Sequence, residues 1–267
     1  MPSLRASLYG IYSLEESANG DSPLHRIDAR AKISGTFVYI LSIISFGRGE
    51  ISALAPYVIY PAVAIPLADI PAGIIFRRIL LALPFCIFAG ISSAFFDRTP
   101  LFSAGGVNVT MGYAICLSII FRAALCVCAV LILIAVTPFR ELTRGLRRMH
   151  IPNFIVTLFE MTYRYAGTLM EDAVSLYTAY SLRSGAKKGV EMRDMGTFIG
   201  QLLLRSADRA ERVYRAMKCR GYPGVIRSEC GHGLRRSDYL FPILLCGASL
   251  FFRFVNVPLL IGGFFYG

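Results

Sequence analysis

No G-x-x-x-x-G-K-S/T phosphate loop occurs in the 267 residues, so the chain hydrolyses no ATP by that route. Histidine is scarce and scattered: His25, His150 and His232 lie far apart, and none has a second histidine, cysteine or carboxylate at metal-ligand spacing. No metal site or catalytic residue is assigned. Paired carboxylates, which an intramembrane protease or transferase would need, are missing from the apolar runs, where Asp69 near one end is the exception. Seven cysteines make an odd count, and Cys126 and Cys128 point to different faces of a helix, which argues against a disulfide framework. Together these absences point away from an enzyme.

What is abundant is apolar. With 55% hydrophobic residues, 17% charged residues and a mean hydropathy of +0.56, the chain is too apolar for an ordinary soluble domain and reads as one polytopic membrane domain. Residues 1–30 form a polar tail in which Asp28 can cap a helix starting at Ala29, with Arg30 and Lys32 at the membrane interface. Because roughly thirty mostly polar residues precede the first apolar run, no secretory signal is expected, and the first hydrophobic helix serves as its own insertion signal.

The first run ends at Phe46. Residues 51–68 form a second, which Pro56, Pro61 and Pro66 should bend or break. Residues 79–96 follow the basic pair Arg77-Arg78, read as a loop, and contain a small-xxx-small step at Gly90 and Ala94. Residues 97–106 read as another loop. The runs Met111–Val136 and 239–265 are each long enough to cross a hydrocarbon core of about 30 Å. The fold class is therefore all-α, with about five transmembrane helices: four in 31–136, a domain of amphipathic helices in 137–238, and the last crossing in 239–267.

Five crossings place the tail, the Arg77-Arg78 pair and residues 137–238 on one side. Of 28 lysines and arginines, 18 lie in residues 137–238 and four more up to Lys32, against Arg48 and Arg98 in the opposite loops. The positive-inside rule makes the amino terminus and the basic domain cytoplasmic. The net charge of +11 then has a topological cause, and no aromatic or groove-reading motif supports binding of nucleic acid.

Within 137–238, Pro138 and Pro152 bracket a short helix carrying Arg140, Arg144, Arg147 and Arg148, a pattern suited to an anionic leaflet surface or to simple interface anchoring. From Asn153, the spacing of Phe154, Leu158, Met161, Tyr165 and Leu169 predicts one apolar stripe on a long helix. Phe198, Leu202, Val213 and Met217 predict a second, with Asp208–Arg212 and Glu211–Arg215 as i,i+4 pairs on its wet face. The two segments end alike, at Arg183-Ser184-Gly185 and Arg220-Gly221. Each arginine stands at a helix end before a stopping glycine, where it either docks into a partner or simply complements the helix dipole.

Several stretches resemble the T component of energy-coupling factor importers, in its CbiQ-like cobalt and nickel branch: Leu24-His25-Arg26-Ile27-Asp28-Ala29-Arg30-Ala31-Lys32, Thr137-Pro138-Phe139-Arg140-Glu141-Leu142, Ile151-Pro152, Tyr163-Arg164-Tyr165 and, most specifically, Arg205-Ser206-Ala207-Asp208-Arg209-Ala210-Glu211-Arg212-Val213-Tyr214. The resemblance covers nearly the whole chain. The family's two Ala-Arg-Gly motifs fall on Leu182-Arg183-Ser184 and Cys219-Arg220-Gly221; the arginines are kept, the alanines are replaced, and the first glycine is displaced to Gly185.

This resemblance implies a non-catalytic scaffold in a prokaryotic cell membrane. Its partners would be two ABC-type ATPases, which bind the ATP, and a substrate-binding membrane subunit like CbiM or NikM. No cofactor is expected in this chain. Arg183, Ser184, Gly185, Arg220 and Gly221 become the ATPase-coupling residues of two coupling helices. The alternatives are a conventional importer permease lining its own path and a membrane-anchored interaction protein. Arg122 and Arg253 lie inside the fourth and last apolar runs, where a lone charge costs about 2.5–3.5 kcal/mol. They are expected to donate to backbone carbonyls or to a partner subunit, the alternative being a side chain that snorkels along its helix.

Overall fold

The computed structural model describes residues 20, 22–47, 51–70, 72–96, 100–104, 107–184, 189–224 and 236–254. It divides into two compact units: a core unit of residues 9–145 and 232–267, and a hairpin unit of residues 1–8 and 146–231.

The core unit begins with helix α1 (Ala29–Ile44), whose first turn is capped by the Asp28 carboxylate accepting from Arg30 N at 2.9 Å. Lys32, 3% exposed, donates its Nζ to His25 O at 3.0 Å and to Val136 O at 3.2 Å. The ammonium therefore sits at the carbonyl end of helix α5 (Met111–Val136), where the helix dipole favours a cation. It also ties the segment before α1 to that end.

The proline-rich run is broken, for the reason its sequence gives. A proline supplies no N–H to the helical ladder, and the run divides into α2 (Ile51–Leu54), a 3-10 turn (Ala55–Val58) with Pro56 near its start, and α3 (Ile59–Leu67). Tyr57, in the turn, is 2% exposed. Its carbonyl accepts from Tyr39 Oη at 2.7 Å, and its own hydroxyl donates to Ser249 O at 2.7 Å. Phe46 packs edge-on against it with ring centroids 5.5 Å apart. The broken segment is thereby locked to α1 through the Tyr57 carbonyl and to α9 (Arg236–Phe254) through the Tyr57 hydroxyl.

Two expected loops are different. Arg77 and Arg78 lie inside helix α4 (Ala72–Phe96), because arginine is a strong helix former and nothing near the pair stops the helix. Within 97–106, residues Pro100–Ala104 form strand β1, paired antiparallel with β2 (Val107–Thr110). The sequence supports a strand there, since the β-branched Val107 and Val109 alternate with Asn108.

Helices α4 and α5 pack closely at Gly90, where an added Cβ would come within 2.6 Å of Cys116 Sγ. Among the described residues, Ile115–Val136 in α5 is long and apolar enough to cross a membrane, with mean hydropathy 2.9; the apolar stretches Ala55–Leu67 and Leu240–Arg253 are shorter. Helix α9 starts three residues before the expected Tyr239 and meets α1 at Gly35, where a Cβ would lie 3.1 Å from Leu245 Cδ2. Residues 255–265 of the expected last run lie outside the described residues.

Helix α6 (Phe139–Arg148) follows Pro138 and rests on α1 at Gly145, where a Cβ would be 3.1 Å from Ala29 Cβ.

The hairpin unit holds two long helices, α7 (Asn153–Arg183) and α8 (Met192–Cys219). The predicted stripe of α8 is its half-buried side at Phe198, Leu202, Val213 and Met217. In α7, Met161, Tyr165 and Leu169 are half-buried, whereas Phe154 and Leu158 stay exposed. Full burial is rare: among the described residues Val156 is buried in α7, and no residue is in α8. Polar links join the two helices instead, with Arg209 Nη2 on Asp172 Oδ2 at 2.5 Å and Tyr180 Oη donating to Asp194 Oδ2 at 2.8 Å. On the wet face the Glu211–Arg215 pair forms. The Asp208–Arg212 pair does not form among the described residues; both side chains stay in solvent, where an ion pair gains little.

Candidate functional site

The two helix ends singled out by their arginines are built differently. Arg183 is the last residue of α7, and Ser184 closes the helix in a near-helical conformation, its N–H donating to Tyr180 O at 2.9 Å. Gly185 lies outside the described residues. At the end of α8, Arg220 is the cap itself. Gly221 takes φ +77°, its N–H donates to Lys218 O at 2.9 Å, and the Tyr222 N–H reaches back to Met217 O at 3.0 Å. This is a Schellman turn, which satisfies the last carbonyls and needs a residue that tolerates the left-handed region at Gly221. Both arginine side chains are exposed.

The hairpin does not bring these arginines together. Tyr180, three residues before Arg183, holds Asp194 near the start of α8, while Arg220 stands at the other end of that helix. At 1.5 Å per residue the two ends are roughly 40 Å apart. Phenols of α7 hold the residues just before α8: Gly189 N–H donates to Tyr177 Oη at 3.3 Å and Glu191 N–H to Tyr180 Oη at 3.4 Å. Its bond to the Asp194 carboxylate makes Tyr180 harder to deprotonate and raises its pKa.

Sequence periodicity missed a second apolar stripe on α8. Met192, Met195, Ile199 and Leu203 recur at three- and four-residue steps and are all exposed, Met192 by 90%. In the first turns of α7, Phe154 and Leu158, and likewise Ile155 and Phe159, are four positions apart and exposed. The signal was present in the spacing, but the half-buried stripe on the same helix was sufficient to predict it as amphipathic. Arg147 was read as part of a basic membrane-facing helix, yet its guanidinium is spent on Glu160 Oε2 at 2.9 Å with 10% of the side chain exposed.

In the core unit, Arg122 and Arg253 converge on the end of α1. Arg122 Nη2 donates to Gly47 O at 3.0 Å; Arg253 Nη2 donates to Ser45 O at 3.1 Å, and its Nε reaches Ser45 Oγ at 3.3 Å. The Arg253 guanidinium also lies over the Phe46 ring at 4.7 Å, an additional attraction for a cation. Two fixed positive charges thus face carbonyls at the negative end of α1. Among the described residues no group of three or more histidine, cysteine or acidic side chains could hold a metal ion.

The family model for CbiQ, described as a cobalt transport protein, matches residues 20–230. The chain is 34% identical to the cobalt transport protein CbiQ of Rhodobacter capsulatus over 34% of this chain and 38% of that one. It is 30% identical to the nickel permease LarQ of Lactiplantibacillus plantarum, over 39% of this chain and 38% of that one. A longer similarity, 26% identity over 87% of this chain and 91% of the other, joins it to the energy-coupling factor transporter transmembrane protein EcfT of Ruminiclostridium cellulolyticum. With the match running from the capped start of α1 through the end of both long helices, the chain belongs to the CbiQ family of cobalt transport proteins.

Proposed function

We propose that this chain is the energy-coupling transmembrane scaffold of an importer for a divalent metal ion, cobalt or nickel. It links two cytoplasmic ABC-type ATPases to a separate substrate-binding membrane subunit. It lies in a prokaryotic cell membrane, crosses it about five times and keeps its amino terminus in the cytoplasm. The observation that carries this reading is the hairpin unit: two long helices whose apolar side chains are left exposed and whose opposite ends each present an exposed arginine. A pair of ends roughly 40 Å apart suits one docking point per ATPase rather than one shared site. The ion is the transported substrate, and its choice belongs to the substrate-binding subunit.

Arginine fits the docking role. Its planar fork holds a carboxylate by two parallel hydrogen bonds and does not lose its charge, whereas lysine offers a rotating point charge. Arg183 and Arg220, with Ser184, Gly185 and Gly221 as their neighbours, enter acidic grooves on the ATPases, and the left-handed turn at Gly221 carries the chain away behind Arg220. Arg122 and Arg253 hold the end of α1 fixed while the scaffold moves.

Truncating one partner of a buried charged pair typically costs about 2–5 kcal/mol. Arg220→Ala should therefore weaken ATPase binding or uncouple hydrolysis from uptake, Arg183→Ala should act similarly or more mildly, and lysine should restore only part of the loss. The test is metal uptake and ATPase co-purification for the single and double variants in membranes. Normal assembly and uptake in the double variant would reduce both arginines to helix caps. Uptake with ATPases attached but no second membrane protein would favour a conventional permease lining its own path, and absence of any uptake a membrane-anchored interaction protein.

A further inference from the structure

Several charges of the core unit form no ion pair with a described residue, and four of them lie on the elements next to the end of α5. Helix α5 ends at Val136, and α6 begins three residues later. Arg140 and Arg144 lie four and eight positions beyond that end, on a helix that Thr137 and Pro138 separate from α5. The Lys32 bonds to His25 O and Val136 O hold the start of α1 at the same level, which brings in Arg26 and Arg30. Arg30 is fixed beside α6, since a Cβ on Gly145 would lie 3.4 Å from its backbone nitrogen.

Arg26, Arg140 and Arg144 are exposed and form no ion pair with a described residue; Arg30 keeps a buried Nε with no hydrogen-bond partner. The carboxylates on these elements are Asp28, engaged in capping α1, and the exposed Glu141. Arg147 does not belong to this set, because Glu160 holds it. On α6 itself, Phe139 and Leu142 recur at i and i+3 on the side away from Arg140 and Arg144, the pattern of a helix lying in the membrane plane.

We propose that Arg140 and Arg144 of α6, with Arg26 and Arg30 at the start of α1, form a binding site for the phosphate of an anionic phospholipid in the leaflet where α5 ends. The end of an apolar span is where phospholipid headgroups lie, and a guanidinium there meets phosphate while its stem remains among apolar groups. Four cations and one free carboxylate favour an anionic over a zwitterionic headgroup. The site does not depend on the transport reading; it requires only that α5 ends at the membrane surface.

The purified full-length protein is placed in phosphatidylcholine nanodiscs containing traces of spin-labelled phosphatidylglycerol or spin-labelled phosphatidylcholine, and the immobilised fraction of each label is measured. Wild type should immobilise phosphatidylglycerol preferentially. Each arginine near the surface should contribute about fivefold, so Arg140→Gln/Arg144→Gln should lose most of the preference. Arg205→Gln/Arg212→Gln on α8 should keep it, and Arg140→Lys/Arg144→Lys should keep most of it. Should the glutamine pair not fold, Glu141→Gln provides the opposite arm, with a stronger preference expected. No preference in wild type, an unchanged preference in the Arg140/Arg144 glutamine variant, or an unchanged preference in Glu141→Gln would overturn the proposal. So would displacement by millimolar inorganic phosphate, which would make free phosphate the ligand.

Discussion

The core unit and the hairpin unit satisfy their side chains by opposite means. In the core unit Tyr39 and Tyr57 are among the largest fully buried side chains, and the phenol of each is bonded to a backbone carbonyl, so burial and hydrogen bonding close on the same residues. In the hairpin unit the helices meet through an ion pair, a phenol–carboxylate bond and half-buried faces, while Phe154, Leu158, Ile199 and Leu203 face outward. Apolar surface left exposed on well-formed helices is surface built for something else to cover. The core unit ties its elements together through buried phenols, whereas the hairpin unit does so through half-exposed polar links and leaves an apolar stripe open on α8.

Breaking that contrast starts in the core. Tyr57→Ala removes an aromatic side chain and its hydroxyl bond to Ser249 O while keeping the carbonyl that Tyr39 holds, and should lower stability by about 3–5 kcal/mol, read as a large fall in the melting temperature of detergent-purified protein. A melt like wild type would mean the core unit is not held from within. Gly221→Ala forces a side chain into the left-handed region at a cost of about 1–2 kcal/mol. Its effect should stay local: faster amide exchange at Gly221 and Tyr222, an unchanged core melt, and a larger loss in ATPase co-purification than in stability. Smallest of all, Asp172→Asn breaks a partly exposed ion pair worth less than about 1 kcal/mol. Melting should barely move, and amide exchange along α8 should rise in the isolated protein but not in one bound to the proposed ATPase partners. Equal protection in both states would show that the hairpin needs no partner to be held.

Much of this arrangement was legible in the residues. Asp28 marks the start of α1, Pro138 and Pro152 bracket α6, and the uninterrupted run Met111–Val136 is one helix because no charge or proline but Arg122 disturbs it. Of the three prolines expected to bend or break residues 51–68, Pro56 lies in the turn at 55–58, whereas Pro61 and Pro66 lie within α3. What escaped depends on three dimensions or on competing local preferences. Arg77-Arg78 looked like a loop because charge was weighed above helix propensity. The ribbon at 100–110 is too short to show a strong alternation. No local pattern links Tyr57 to Ser249, 192 positions away, or reveals that both Arg122 and Arg253 turn back to the end of α1. The exposed stripe on α8 was readable, but one apolar face is the usual number for a helix and a second was not sought.

The Lys32 bond carries a consequence for the order of events during synthesis. Its acceptor on Val136 is made 104 residues later, and at about 5–20 residues per second the wait is roughly 5–20 s. Through that interval the ammonium of the first apolar helix has no Val136 carbonyl to rest on and must stay hydrated at the surface. Tyr57 waits longer still, since Ser249 follows it by 192 residues. The nascent chain therefore enters the membrane with its first helix and its proline break unfastened, and the core unit closes only once its final helix has been made.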